Sequence, residues 1–507
     1  MKKLTLFLAV NLFLIQVNAQ TPDIEWQKSL GGSYGDFATS IQQTTDGGYI
    51  VAGYSYSNDG DVTDHRGLEG WADFWVVKLD NTGDIEWEKS LGGSDHDFGN
   101  SIQQTTDGGY IVAGSSSSND GDVTGYHGRS DYWIVKLDST GNIEWQKSLG
   151  GSDDDEAYSI QQTTDGGYIV AGGSWSNDGD VTGNHGNVDF WIVKLDITGN
   201  IQWQKSLGSS THDGASSIQQ TTDGGYIVAG SSTSNNGDVS GNHGSDDFWI
   251  VKLDNTGNIE WQKSLGGSSL DKVSSIQQTT DGGYIVAGGS SSNDGDVTGN
   301  HGDRDYWIVK LNSTGDIDWQ KSLGGSGIDW ATTIQQTTDG GYIVAGFSES
   351  NNGDVTGNHG NGDYWIVKLD STGNIQWQKA LGGSGQDAAY SIQQTTDGGY
   401  VVAGYSESFD GDVSGNHGIS DFWIVKLVPD NLSTDETNIK NNFSVYPNPV
   451  KDILTIEGIA PNTRLIITDV NGKTILSTTV KSNKESIDVS GLPAGVYFIN
   501  KTKFIKR

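Results

Sequence analysis

The chain has 507 residues, no cysteine, 73 glycines, six prolines and a formal net charge of −35. The lack of cysteine excludes disulfide frameworks, thiolate metal sites and cysteine nucleophiles. The acidic excess argues against nucleic acid and anionic membrane surfaces as partners. With 17 Trp, 19 Tyr and 13 Phe, the chain has far more aromatic area than disordered segments contain. Abundant glycine among Val, Ile, Trp and Tyr favours an all-β fold with tight turns.

The first 19 residues have the composition of a secretory signal. Two lysines precede an apolar run over residues 4–15, and residues 17–19 suit cleavage by signal peptidase. The run is too short to cross a membrane, and no other stretch approaches 18 apolar residues. We therefore predict a cleaved signal peptide over residues 1–19, Sec export to the periplasm and no transmembrane segment.

Residues 20–429 contain one sequence unit seven times. Each unit begins at a tryptophan, with a first spacing of 61 residues and five spacings of 58: Trp26, Trp87, Trp145, Trp203, Trp261, Trp319 and Trp377. Each unit predicts four antiparallel strands, in the first unit A over 40–44, B over 49–53, C over 74–79 and D over 24–30. Turns rich in Asp, Asn and Gly join A to B and C to D.

The phase of these strands favours a closed ring over an open solenoid. The chain enters on a lone D strand and leaves the last unit after a C strand, so the first strand can complete the seventh sheet. A solenoid would need caps, and none is visible. We predict a seven-bladed β-propeller whose strand-swapped closure resembles that of WD-repeat and Kelch-like proteins. The turn and strand at residues 138–145 also resemble quinoprotein propellers, which supports the fold and not a quinone cofactor. The repeated tryptophan pair, Trp26 and Trp75 in the first unit, is expected to pack blades together.

The B–C and D–A loops share one face of the predicted ring, called the upper face. In each unit this face is expected to present an aspartate from the D–A loop, a Gly-Asp pair and a histidine. The D–A aspartates are Asp36, Asp97, Asp155, Asp213, Asp271, Asp329 and Asp387. The histidines considered as ligand contacts are His127, His185, His243, His301, His359 and His417.

Three interpretations of the upper loops stay open. Asp and Asn can cap turns while each histidine binds a neighbouring backbone group. Closely spaced oxygens can bind calcium, although the full acidic frame and the closing Glu of a calcium loop are missing. Histidine and aspartate can also bind an external ligand such as a glycan. The candidate calcium ligands are Asp59, Asp61, Asp120, Asp122, Asp178, Asp180, Asp238, Asp294, Asp296, Asp354, Asp410 and Asp412.

Departures from the repeat mark further candidate contacts. The first B–C loop is extended and inserts Arg66 and Trp71, and Trp175 and Trp330 are the other tryptophans outside the repeat. Near-identical loops do not supply one converging set of catalytic groups, and repetition suits multivalent binding. We therefore predict a non-catalytic binding or adhesion scaffold, with polysaccharide as the expected ligand. The alternative is a carbohydrate-active enzyme, an endoglucanase-like hydrolase or a lyase, on the same fold.

The last part of the chain differs in composition. Over residues 443–507 there are nine Lys and Arg against five Asp and Glu. The segment has a Tyr-Pro-Asn-Pro opening with Pro447, Asn448 and Pro449, a turn with Gly472, a Gly-Val-Tyr-Phe strand with Gly495 and Tyr497, and a basic tail. It closely resembles the type A C-terminal sorting domain of type IX secretion cargo in Bacteroidetes. The resemblance implies a small β-sandwich recognised by the outer-membrane translocon, after a linker at 430–442, and a protein that is secreted or held at the cell surface.

Overall fold

The computed structural model describes residues 21–67, 70–430, 444–458, 461, 463–468, 474–499 and 502–507. In these ranges every regular element is a β-strand, which confirms the predicted all-β class. The chain divides into a large unit at residues 19–432 and a small unit that contains residues 433–507. The predicted signal peptide and all of the predicted linker except Asp430 lie outside the described residues.

The large unit consists of seven four-stranded antiparallel sheets. The innermost strands, called A, are β2 (Asp36–Gln43), β6 (Asp97–Gln104), β10 (Asp155–Gln162), β14 (Asp213–Gln220), β18 (Asp271–Gln278), β22 (Asp329–Gln336) and β26 (Asp387–Gln394). Strands B are β3 (Tyr49–Ser55), β7 (Tyr110–Ser116), β11 (Tyr168–Ser174), β15 (Tyr226–Ser232), β19 (Tyr284–Ser290), β23 (Tyr342–Ser348) and β27 (Tyr400–Ser406). Strands C are β4 (Asp73–Leu79), β8 (Asp131–Leu137), β12 (Asp189–Leu195), β16 (Asp247–Leu253), β20 (Asp305–Leu311), β24 (Asp363–Leu369) and β28 (Asp421–Leu427). The outer strands D are β5 (Ile85–Leu91), β9 (Ile143–Leu149), β13 (Ile201–Leu207), β17 (Ile259–Leu265), β21 (Ile317–Leu323), β25 (Ile375–Leu381) and β1 (Ile24–Leu30).

The first strand belongs to the last sheet. β1 pairs antiparallel with β28, and the sheet order is β1-β28-β27-β26. The Trp423 indole donates a hydrogen bond to Gln27 Oε1 over 2.7 Å, as the Trp133 indole does to Gln146 within the second sheet at 2.9 Å. The first and seventh sheets also share one buried apolar cluster, in which Phe422 packs on Trp75 with ring centroids 4.5 Å apart. The seven sheets are therefore joined in sequence with the last against the first.

Two hairpins per blade define the lower face. In the C–D hairpin, Asp80 Oδ1 accepts hydrogen bonds from the N–H groups of Thr82 and Asp84 at 2.8 and 3.0 Å. Gly83 has a φ of +82°, and a Cβ there would lie 2.8 Å from the indole of Trp26. Glycine is needed both for the turn and for this close approach. The strand D tryptophan thus holds the hairpin of the next blade, which confirms its predicted packing role.

Apolar layers between neighbouring blades form the core. Strands B and C are buried along nearly their whole length, because each sheet packs against a sheet on both faces. The exceptions are Tyr54 in β3 and Phe347 in β23, which are half-buried. The strand C tryptophans, such as Trp133 and Trp191, are fully buried, and each packs on an aromatic ring of the preceding blade. This continuous packing around the ring leaves the innermost strands to line the axis.

Glutamine side chains join the lower ends of neighbouring inner strands. Gln42 Oε1 accepts the N–H of Gln104 from the next blade at 2.6 Å, and Gln393 Oε1 accepts the N–H of Gln43 at 2.6 Å. The same bond recurs at all seven junctions, with lengths of 2.6 or 2.7 Å. The residues of this inner glutamine ring are Gln42, Gln103, Gln161, Gln219, Gln277, Gln335 and Gln393. A closed circle of side chain to backbone bonds thus surrounds the axis.

The small unit contains two sheets, with orders β29-β30-β33 and β32-β31-β34-β35. Their strands are β29 (Ser444–Tyr446), β30 (Ile453–Glu457), β31 (Arg464–Thr468), β32 (Thr474–Thr479), β33 (Lys484–Asp488), β34 (Gly495–Ile499) and β35 (Thr502–Lys506). A buried cluster that includes Leu454, Leu465 and Phe504 draws residues from both sheets. This arrangement agrees with the small β-sandwich implied by the sorting-domain resemblance.

Candidate functional site

Each inner strand has a constant lower half and a variable upper half. After its first aspartate come three residues that vary between blades, then Ser or Thr and an invariant Ile-Gln-Gln. The pairing of strand A with strand B shifts register after the third residue, so that the fourth forms a β-bulge, as between Ala38 and Ser40. All seven inner strands share this bulge. Bulges turn a side chain away from the regular alternation and recur beside functional sites.

The seven bulge residues surround one cavity at the upper end of the axis. They are Thr39, Asn100, Tyr158, Ser216, Ser274, Thr332 and Tyr390. The cavity has a volume of about 640 Å³, and its lining includes Tyr54, Lys272 and Trp330. We call it the axial funnel. Because the variable positions of all blades meet in it, the funnel is asymmetric within an otherwise repetitive molecule.

An arc of aromatic rings crosses the upper side of the seventh, first and second blades. Tyr54 stacks on Phe37 with centroids 5.2 Å apart, and Phe37 meets Tyr405 at 4.9 Å. On the other side Tyr54 contacts Phe98 at 4.9 Å. Tyr390, 41% exposed, continues the arc into the funnel beside Tyr405. Burial raises the pKa of the Tyr54 and Tyr390 hydroxyls, so these groups remain neutral hydrogen-bond donors.

Trp330 of the sixth blade packs against a cation from the fifth blade. The Arg304 guanidinium carbon lies 4.6 Å from the ring centroid of Trp330. The Trp330 indole donates to Ser274 Oγ at 3.1 Å. Lys272, at the strand position that Trp330 occupies in the next blade, lies 4.0 Å from Asp246. The funnel therefore offers an apolar ring, hydroxyls and a cation from neighbouring blades.

Of the tryptophans predicted from the sequence, Trp330 lies in the funnel. Trp71 packs on the ring of His96 with centroids 4.3 Å apart and is half-buried. Trp175 is 36% exposed and meets His212 edge-on at 6.2 Å. Arg66 binds Asp122 Oδ1 at 2.7 Å. Neither Trp71 nor Trp175 nor Arg66 lines the funnel.

The repeated histidines are fixed by the first residue of strand C. His127 Nδ1 lies 2.9 Å from Asp131 Oδ2, and the corresponding distance from His185 to Asp189 is 2.6 Å. The partner aspartate is completely buried, whereas 36–46% of the histidine side chain is exposed. The same pairing holds for His243, His301, His359 and His417. Their role in ligand binding stays a prediction, and they lie outside the lining of the funnel.

The candidate calcium ligands take part in loop hydrogen bonds. Asp120 Oδ1 accepts the Ser94 N–H at 2.7 Å, and Asp122 Oδ2 accepts the Gly92 N–H at 3.4 Å. Similar bonds are made in other blades by Asp59, Asp61, Asp178, Asp180, Asp238, Asp294, Asp296, Asp354, Asp410 and Asp412. Within the described ranges, no three acidic or histidine side chains are grouped so that they could hold a metal ion. Calcium binding stays a prediction.

The aspartates assigned to the D–A loop are not at the surface. Asp36 and its six equivalents are the first residues of strands A and are completely buried. The sequence alternation predicts a later start for these strands, which is why the aspartates were assigned to the loop. Asp36 accepts hydrogen bonds from Ser55, Ser57 and Gly32. Burial raises its pKa to about 7, with nearby Asp421 adding to the effect. In the third blade, burial raises the pKa of Asp155 to about 6. These groups form the walls between blades and are not exposed to ligand.

The sorting-signal residues of the small unit are close to its last strand. Asn448 Oδ1 accepts the Ile505 N–H at 2.9 Å, so the motif formed by Pro447, Asn448 and Pro449 contacts the basic tail. In β34, which begins at Gly495, the Tyr497 hydroxyl donates to Pro493 O at 3.0 Å. Gly472 lies outside the described residues.

Comparison with known families confirms the identity of this small unit. Residues 444–504 match the family described as the secretion system C-terminal sorting domain. This domain supports type IX secretion cargo and indicates export to the cell surface or the extracellular space. No helix in the described part of the chain is long and apolar enough to span a membrane. Together, the repeated sheets and the sorting domain define a β-propeller protein exported by type IX secretion.

Similarity to individual proteins is low. The regulatory protein FlaEY of Caulobacter vibrioides is 24% identical over 425 residues, which cover 74% of this chain and 43% of FlaEY. This chain thus spans less than half of that relative. The WD40 domain of Neurospora crassa Pan2 is 11% identical, with a TM-score of 0.44, over 81% of this chain and 97% of that domain. PorZ of Porphyromonas gingivalis, described as an essential surface component of the type IX secretion system, is 11% identical, with a TM-score of 0.42, over 96% of this chain and 61% of PorZ.

The bulge residues, unlike their neighbour Trp330, do not stand out as site residues in the sequence alone. The signal that could have found them is the contrast between an invariant Ile-Gln-Gln and the three variable residues before it. Repetition hides such positions when the unit is read as a consensus. Their importance follows from closure of the ring, which brings seven separate positions to one axis.

Proposed function

We propose that this exported propeller is a non-catalytic binding protein that holds a carbohydrate in the axial funnel. The observation that carries the proposal is the concentration of variable residues at the bulge positions around one cavity. Strands B, C and D repeat nearly the same residues in every blade, so these strands provide the scaffold. A single asymmetric site on a rigid scaffold is the arrangement expected of a specific binding site.

The chemistry of the funnel suits a sugar. Sugars combine apolar ring faces with many hydroxyls, and aromatic side chains can pack on those faces while polar groups bind the hydroxyls. Tyr158 and Tyr390 are 43% and 41% exposed, so both rings are accessible. The bulge also places the amide of Asn100 and the hydroxyls of Ser216 and Ser274 in the lining.

A hydrolytic role has less support. Glycoside hydrolysis by the usual mechanisms uses two carboxyl groups on either side of the bond that is cleaved. Among the described residues that line the funnel, Asp246 is the one carboxylate, and it lies near Lys272. The neighbouring Glu156 accepts a hydrogen bond from the Tyr158 hydroxyl. The lining favours binding over turnover.

Titration calorimetry with a panel of soluble polysaccharides tests the proposal on the purified protein. We expect one class to bind, and expect Tyr158→Ala and Tyr390→Ala each to weaken its affinity about tenfold through loss of about 1.4 kcal/mol of contact energy. Phe409→Ala is the matched control, because Phe409 is 70% exposed and lies outside the funnel. Its affinity should equal that of the unsubstituted protein.

The alternative functions give different results. Shortened products detected by chromatography would indicate an enzyme. Binding that is unchanged by both tyrosine substitutions would place the ligand elsewhere on the upper face, and failure of every polysaccharide to bind would contradict carbohydrate recognition. Reduced binding in the Phe409 variant as well would indicate a diffuse surface interaction.

A further inference from the structure

A second, smaller cavity lies on the axis at the level of the inner glutamine ring. Its volume is about 250 Å³, and it is lined by the seven glutamines of that ring and by the seven isoleucines that precede them, such as Ile160. The described lining contains no ionisable side chain. One water occupies about 30 Å³ in the liquid, so this cavity has room for an ion with part of its hydration shell.

Backbone bonding fixes which end of each amide faces the cavity. In the ring, every Oε1 accepts a backbone N–H of the neighbouring inner strand. A backbone N–H can only donate, so oxygen must occupy that position and nitrogen the other. Among the described residues, the Nε2 atoms of the ring have no hydrogen-bond acceptor, and they are not among the buried polar atoms. Seven NH₂ groups are therefore directed at one axial space.

We propose that this ring is a binding site for a small inorganic anion such as chloride or bromide. Several N–H donors that converge on one point stabilise negative charge without a formal positive charge, as backbone nests do. The opposing effect is the net charge of −35. At physiological ionic strength, charges farther away than about 8 Å are largely screened, and the lining itself carries no carboxylate. Of the acidic groups that follow the inner strands, Asp107 of the A–B turn is paired with Lys136 at 3.0 Å, so we expect the local donors to outweigh the acidic surface.

Halide binding can be measured on the intact protein by thermal unfolding. At constant ionic strength and at pH 8, replacing gluconate with bromide should raise the melting temperature by roughly 1–3 °C, because a ligand that binds only the folded state stabilises it. In crystals soaked in bromide, an anomalous peak is expected on the axis among the Nε2 atoms. The rise should be the same with sodium or potassium as the cation.

A pair of isosteric substitutions separates this site from general salt effects. In Gln161→Glu one carboxylate oxygen can still accept the Gln220 N–H, while the other replaces an NH₂ donor with negative charge. We expect the bromide effect to disappear. Gln162→Glu adds the same charge at a residue whose Oε1 accepts the Thr106 N–H at 2.9 Å and which does not line the cavity, so it should keep the bromide effect.

The proposal is overturned if the melting temperature of the unsubstituted protein is no higher in bromide than in gluconate and the axial density contains water alone. It is also overturned if stabilisation follows the cation, or if Gln161→Glu and Gln162→Glu lose the effect equally. Should Gln161→Glu fail to fold, the bromide peak in the unsubstituted protein decides the question. The test uses no carbohydrate and so is independent of the funnel's ligand.

Discussion

The upper and lower ends of the inner strands differ in how strongly structure constrains which residues can occur there. At the lower end, Ile-Gln-Gln is identical in all seven blades. The first glutamine accepts a backbone N–H of the next inner strand, the second accepts one from the A–B turn of the preceding blade, and the isoleucine fills the layer between blades. At the upper end, the bulge frees one side chain per blade from pairing and from the core. Sequence variation is therefore tolerated where the strand leaves the regular ladder, and that is where a specific site can develop.

The largest expected effect is a pH dependence of the free energy of unfolding that differs between the upper and lower ends of the strands. Burial raises the pKa of Asp36 and Asp73 to about 7, and of Asp97 and Asp155 to about 6, at the upper ends of strands. The pKa of an unfolded aspartate is near 3.8, so the folded state retains protons that the unfolded state loses as pH rises between about 4 and 7. For each group, a tenfold difference in proton affinity between the two states corresponds to about 1.4 kcal/mol. The ring should therefore be more stable at pH 5 than at pH 8 by several kcal/mol.

The lower end should respond only in strong acid. Partial burial opposes the shift in Asp107, but hydrogen bonds from Thr105 and Gly109 and the ammonium of Lys136 lower its pKa to about 2. Stability from this group is present above its unfolded value and is lost as pH falls towards 2. Calorimetry from pH 2 to pH 8 should show maximum stability near pH 4–5. Constant stability between pH 5 and pH 8 would contradict the role assigned to the buried aspartates.

A matched variant sharpens the pH prediction. Asp131 Oδ1 is buried without a hydrogen-bond partner, while Oδ2 binds His127. In Asp131→Asn the amide NH₂ can replace the unpaired oxygen and face Asp155. We expect a gain of about 1–2 kcal/mol at pH 8 and little change at pH 5. Equal gains at both pH values would show that the effect does not come from ionisation.

The next expected effect is a loss of stability when the constant lower half of an inner strand is changed. Ile160 is 5% exposed and packs in the layer between the second and third blades. Ile160→Ala should lower the free energy of unfolding by about 2–5 kcal/mol through lost burial and the cavity left behind, as measured by denaturant titration. A loss below about 1 kcal/mol would mean that the lower half is not the structural element we describe.

A smaller loss is expected when the ring hydrogen bond is removed. Gln161→Leu leaves the Gln220 N–H without its acceptor, which should cost about 1–3 kcal/mol. Gln161→Glu retains that acceptor and serves as the control, with denaturant titration in gluconate at pH 8 as the measurement. If leucine and glutamate variants are equally stable, the backbone bond contributes little.

The smallest effect is expected at the bulge. Tyr158→Ala should change the free energy of unfolding by less than about 1 kcal/mol, because the side chain is 43% exposed. The same variant is expected to lose carbohydrate affinity. A large loss of stability here would remove the distinction between a structural lower half and a functional upper half.

Much of the fold could be predicted from the sequence, because turns and alternation are local signals. The hairpin at Asp80–Asp84 and the strand from Phe74 to Leu79 were found in this way. The start of the inner strand at Asp36 was not, since a bulge breaks the alternation on which strand prediction depends. Of the funnel, Trp330 was predicted as a departure from the repeat. The other lining residues come together only through ring closure, which is a long-range property.

The pairing of β1 with β28 also sets the order of assembly. Gln27 and Trp423 are hydrogen-bonded although they are 396 positions apart. A chain that emerges from its amino end must keep β1 unpaired until nearly the whole repeat region has followed, and an unpaired edge strand is prone to aggregation. We therefore expect the emerging chain to depend on chaperone protection until the ring closes. Resistance of β1 to a protease that cleaves unpaired strands would therefore show when the ring has closed.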